Sequence, residues 1–144
     1  MSLKHVFTAS MIFFILCGVS GCAAEPSDSV LGTMQLLPGY KHEKQQGMDT
    51  QVGKIWKDQG LTISYDIGRL AGNYTKSQQK EQTLWHKEHV SNGRLIHVAL
   101  AKDNTLYVTF PESSANFYAN VKSEEDIVDV LLMVLTYSPP EKSD

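Results

Sequence analysis

Apolar residues crowd the start of the chain and alternate with polar ones through most of the rest. Val6 to Val19 is nearly free of polar groups, whereas from Met34 onward hydrophobic positions recur mostly at a spacing of two. That period puts successive side chains on opposite faces of a strand. Met34-Gln35-Leu36-Leu37 reads as a short extended run ending at the turn dipeptide Pro38-Gly39. Val52 to Trp56 and Leu61 to Tyr65 both alternate, and Asp58-Gln59-Gly60 between them predicts a hairpin turn. The clearest stretch is Thr83 to Phe110. Three β-rich runs, Leu84–Val90, Arg94–Ala101 and Thr105–Phe110, are separated by Ser91-Asn92-Gly93 and Lys102-Asp103-Asn104. Asn-Gly suits a two-residue turn whose central residues both need positive φ, so a three-stranded meander is expected. Asn116 to Val121 predicts a further strand with Phe117, Ala119 and Val121 on one face.

The period changes once, near the end. Ser123-Glu124-Glu125-Asp126 has the form of a capping box, with acids in the first turn to complement the helix dipole. Ile127 to Tyr137 continues the helix and Pro139-Pro140 stops it. Ile127, Val130, Leu131, Val134 and Leu135 form an apolar stripe. Val128 and Leu132 widen it, predicting a helix that is substantially covered. The expected fold class is α+β: an antiparallel sheet of about five to six strands with this amphipathic helix packed on one face. Thr75 to Gln82 is polar and fits either a short helix or a loop. No internal repeat is present.

The first apolar block is shorter than the ~20 residues a helix needs to cross a bilayer. It has instead the three parts of an export signal: a positive start at Met1 to His5, an apolar run from Val6 to Cys17, then small residues. Val19-Ser20-Gly21-Cys22 resembles the lipobox of bacterial lipoproteins, a branched apolar residue and two small ones before a cysteine. The resemblance implies cleavage before Cys22, alkylation of its thiol by diacylglycerol and acylation, often with palmitate, of its new amino group. It also implies a chain held on a membrane of the bacterial envelope. Ala23, rather than an Asp, follows the cysteine; in that family this favours the outer membrane facing the periplasm over the inner one. The expected organisation is a signal peptide at 1–21, a lipidated cysteine and flexible tether at 22–33, one domain at 34–138 and a polar tail at 139–144.

Charge and cysteine usage then exclude several classes. Cys17 leaves with the signal and Cys22 carries lipid, so the mature domain has no disulfide. Losing Lys4 leaves 12 basic residues against 16 acidic ones, a net charge of −4 with His neutral. No basic run interleaves with aromatics, so no nucleic-acid partner is expected. The expected partners are the membrane, through the acyl chains, and an envelope protein.

Two groups of residues carry possible chemistry. In His86-Lys87-Glu88-His89 a strand sends His86 and His89 to opposite sides. A two-residue turn at Asn92-Gly93 pairs Glu88 with His97 and puts His86 on the same face, and two imidazoles with one carboxylate make a zinc-type ligand set. The same residues also fit a solvated strand face with a cross-strand Glu–His pair. The second group is Asp49, in a glycine-flanked loop, Asp66, at the end of a strand, and Arg69, just after Gly68. Two carboxylates and an arginine on loops suit a polar ligand or acid–base work, and equally ordinary turn chemistry. The strings around them, with Val52-Gly53, resemble small exported bacterial proteins of unknown function. Trp56, Trp85, Tyr65, Tyr107 and Tyr118 fit either a ligand groove or sheet packing.

No serine-elbow, phosphate-loop or zinc-protease helix motif occurs, and no cofactor is implied. The expected role is a membrane-anchored binding or accessory module for an envelope protein or small ligand. The alternatives are a small periplasmic hydrolase or metal-dependent enzyme, and an inhibitor or immunity-type lipoprotein.

Overall fold

Seven strands form one antiparallel sheet in a computed structural model that describes residues 31–77 and 80–140. They are β1 (Tyr40–Gln46), β2 (Gln51–Lys57), β3 (Thr62–Ile67), β4 (Thr83–Ser91), β5 (Arg94–Ala101), β6 (Thr105–Phe110) and β7 (Ala115–Asn120). Their order across the sheet is β1-β2-β3-β7-β6-β5-β4. Two meanders, β1 to β3 and β4 to β7, therefore meet at a single seam between β3 and β7. Residues 68–82 link them, running from the seam to the far edge; they contain the one-turn helix α1 (Tyr74–Ser77), which lies against β5 and β6.

The count is seven strands rather than the expected five to six, and the unexpected one is β1. Its sequence, YKHEKQQ, has no apolar alternation. An edge strand pairs on one side only and is mostly exposed here, so backbone pairing with β2 holds it without a hydrophobic face. Met34 to Leu37 is not a strand. Met34 is buried, and Leu36 and Leu37 pack on the core as irregular chain.

One face of the sheet is the core. Cross-strand partners Ile63 and Ala119, Tyr65 and Phe117, and Ile67 and Ala115 line the seam there, continued by Leu106, Val108 and Phe110 of β6. The helix α2 (Glu124–Val134) covers them with Val130, Met133 and Val134, all fully buried. Ser123 caps it, its side chain accepting the Asp126 amide proton, while Asp126 accepts the Lys122 amide. The helix ends at Val134, three residues before Tyr137. There the chain tightens into a turn: the Thr136 amide and hydroxyl both donate to the Met133 carbonyl, and the Tyr137 amide to Val134. This swings the Tyr137 ring into the core between Phe110 and Phe117.

Two further expectations need correction. Val128 and Leu132, expected to lie under cover, are exposed together with Leu135, because the sheet reaches only one side of the helix. Leu31 to Thr33, expected in the tether, belong to the folded body. Leu31 is buried, Gly32 bridges to Ser138, and the Thr33 hydroxyl donates to the Thr136 carbonyl. The expected signal, the lipobox-like string and Cys22 lie outside the described residues, as do positions 141–144.

Candidate functional site

The face of the sheet away from α2 is polar yet partly closed, because the β3–β4 connection crosses it. Asn116 is the point of attachment. It is fully buried on β7, its Oδ1 accepting from the Tyr74 amide at 3.0 Å and the Thr109 hydroxyl at 2.9 Å. Its Nδ2 donates to the Gly72 carbonyl at 3.2 Å. Beside it the Tyr74 hydroxyl donates to Asp66 Oδ2 at 2.6 Å, and the Tyr74, Tyr118 and Tyr107 rings follow one another across the face. Sequence reasoning missed this anchor. The available signal was an asparagine, a poor strand former, inside the apolar run from Ala115 to Ala119.

Further along the same face sit His86, Glu88 and His97. The turn at Asn92-Gly93, with φ of 52° and 75°, sets the register that pairs Glu88 with His97 and His86 with Ala99. His97 Nδ1 lies 3.3 Å from His86 Nε2 and 3.3 Å from Glu88 Oε1, and one ligand atom from each residue falls within 4.8 Å of the others. The two imidazoles are nearly parallel, 18° apart, with centroids at 5.5 Å. His86 and Glu88 are exposed while His97 is only 2% exposed, so the cluster has a buried floor and an open mouth. The cross-strand Glu88–His97 pair of the other reading is present, on a face that is half covered at His97. His97 Nε2 is buried and has no partner among the described residues. Burial pushes the His97 imidazole below its ordinary value; Glu88 opposes this, while His86 and Lys76 of α1 add to it.

Asp49, Asp66 and Arg69 do not form a comparable group. Asp66 is engaged by Tyr74, whereas Asp49 and Arg69 are exposed on separate turns. The turns do touch, Gly68 lying against Thr50, but among the described residues no hydrogen bond or ion pair joins the three side chains. A cleft of about 470 Å³ opens at the other end of β3 instead, lined by Gln59, Thr62, Asn120, Lys122 and Asp126 among others. The helix N-terminus beside it is already occupied by its own caps, Ser123 and Asp126.

Of the tyrosines whose pKa the fold raises, two tie this architecture to pH through a hydrogen bond to a carboxylate. Burial, then a hydrogen bond to Asp66, holds the Tyr74 hydroxyl well above the ordinary tyrosine value; burial and Asp129 do the same for Tyr40. A raised pKa in the folded state means that the folded chain keeps protons that the unfolded chain loses. Their contribution is complete below the unfolded value of about 10 and falls away as pH rises toward the folded values. Urea unfolding across this range is expected to show falling stability, with a shallower slope in Tyr74→Phe and Tyr40→Phe. Unchanged slopes in both variants would contradict this.

The remaining feature is apolar. Val128, Leu132 and Leu135 stand 44–56% exposed on the outer side of α2, at the spacing that aligns side chains on one helix face. The aromatics that fit either a groove or sheet packing are divided: Tyr65 is core, Tyr107 and Tyr118 lie on the polar face, Trp56 is half-buried on β2 and Trp85 is exposed on β4. Among the described residues no helix is long and apolar enough to cross a membrane. No family model, curated protein or solved structure matches the chain, so its own residues carry the functional reading.

Proposed function

We propose that this chain is a lipid-anchored lipoprotein of the bacterial envelope, on the outer membrane facing the periplasm, whose folded domain binds an envelope protein partner. The observation that carries the reading is the short sequence separation between Cys22 and the folded body. Cys22 ends the lipobox-like string nine positions before Leu31, which is buried beside the C-terminal turn of α2. Nine residues reach at most ~3.3–3.6 Å each, roughly 32 Å in all, whatever their conformation. Two acyl chains anchor stably, at ~0.8 kcal/mol for each buried methylene. The domain is thereby held against the bilayer surface with α2 close by.

The outer side of α2 then supplies the docking surface. Val128, Leu132 and Leu135 are apolar, and Glu124 and Glu125, exposed on the same helix, are acidic. Acids there oppose contact with anionic headgroups, so the surface suits a protein with an apolar groove and a basic rim. Labelled palmitate is expected to enter the wild-type chain and not Cys22→Ala; label in the variant would refute the anchor. Crosslinking in intact envelopes is expected to capture one protein, and capture is expected to fall at least tenfold in Leu132→Glu, which remains anchored and folded. Equal capture by that variant would refute the docking surface.

A further inference from the structure

We propose that His86, Glu88 and His97 bind one zinc-type divalent cation on the polar face of the sheet. The spacing is the primary reason. Zn–N and Zn–O bonds of ~2.0–2.1 Å in a tetrahedron put neighbouring ligand atoms about 3.3–3.4 Å apart. His97 Nδ1 stands 3.3 Å from both His86 Nε2 and Glu88 Oε1, so two edges of that tetrahedron already exist. Hydrogen bonding explains the distances less well. Protein N–H donors sit ~2.9–3.0 Å from their acceptors, and a single proton on Nδ1 cannot point at both neighbours.

Ligand chemistry and framework agree with this. Two imidazoles and a carboxylate suit zinc and its neighbours rather than calcium or magnesium, which prefer oxygen. Three protein ligands leave a fourth position, and exposure of His86 and Glu88 opens it to water or an external donor. His97 is held by the packed strand β5, and Glu88 and His86 reach it from β4, whose pairing is fixed by the Asn92-Gly93 turn. Among the described residues Lys76 is an opposing charge nearby; it lies on α1, is exposed, and has a long side chain free to point into solvent. The cation would also clip the edge strand β4 to β5. Binding through Nδ1 leaves the His97 proton on Nε2, the buried nitrogen that has no partner among the described residues.

The test is titration of the untagged full chain in detergent with zinc, after removal of metal by chelation. One equivalent is expected to bind, with a rise in melting temperature, and cobalt is expected to give the visible spectrum of a four-coordinate site. His86→Ala and Glu88→Gln are exposed substitutions that leave the fold intact; each is expected to weaken binding at least tenfold and abolish the thermal shift. His89→Ala, on the other side of the same strand, is expected to bind as the wild type does. No saturable binding in the wild type, or undiminished binding by His86→Ala and Glu88→Gln, overturns the proposal.

Discussion

Asn116→Ala is expected to lower the free energy of unfolding by roughly 2–4 kcal/mol, because it removes three hydrogen bonds at once, one of them to the buried Thr109 hydroxyl. The Tyr74 amide, the Thr109 hydroxyl and the Gly72 carbonyl all meet this one amide group. A buried polar group left unpaired costs ~1–3 kcal/mol, and backbone partners cannot turn away to find water. The loss also has a direction in space. Gly72 and Tyr74 belong to the connection that crosses the polar face, and Thr75 next to them is buried. Freeing them lifts the cover from the sheet beside His97. The control is Asn120→Ala at the exposed end of the same strand, where one hydrogen bond to the Asp103 carbonyl is lost and less than about 1 kcal/mol is expected. Urea unfolding measures both. A loss under 1 kcal/mol at Asn116 would mean that the connection stands without this anchor.

Gly53→Val is expected to cost about 3 kcal/mol or more. Gly53 sits on β2 between Lys44 of β1 and Tyr65 of β3. The Tyr65 ring lies across the glycine, and its hydroxyl meets His42 Nε2 on β1 at 2.8 Å. A Cβ at position 53 would overlap both the Tyr65 hydroxyl and the Glu43 carbonyl oxygen, the latter held in the β1–β2 ladder. Overpacking in a well-filled region costs ~1–3 kcal/mol, and here a backbone oxygen adds an obstacle that no rotamer relieves. Gly60→Ala is the comparison: its nearest neighbours are Lys57 side-chain carbons at 3.5–3.6 Å, an ordinary contact, so no loss is expected. Thermal unfolding of the two variants separates them, and equal melting temperatures would refute the argument.

What the sequence revealed of this fold follows from how local each cause is. The β4–β5 turn was legible because Asn92 and Gly93 tolerate positive φ, and the opposition of Glu88 and His97 follows from that turn alone. The start of α2 was legible because Ser123 and Asp126 act within one turn of chain. The strand β1 was not, since what holds it is backbone pairing with β2, which leaves no hydrophobic trace. The end of α2 was misplaced by three residues because the turn at Thr136 is set by the packing of Tyr137, a contact with strands far away in sequence. The same limit applies to the candidate site. Strand alternation brought His86, Glu88 and His97 to one face, but the half-burial of that face comes from α1 lying against β5 and β6, which the alternation does not encode. Asp66 was judged by its position at a strand end, and its partner Tyr74 lies beyond a glycine turn whose course the pattern does not encode.

The single seam between β3 and β7 has a kinetic consequence. Every other strand pair joins neighbours in sequence through two to four intervening residues, whereas Ile67 and Ala115 are 48 positions apart. Loop closure grows as (3/2)RT ln n, so bringing the seam together from an open chain costs about 2 kcal/mol more than closing a tight hairpin. Each meander can organise by local diffusion alone; their union is the slow, long-range step. Until it happens neither half has its full hydrophobic cover, and the interval before docking is when a newly made chain is most open to proteases and to other chains.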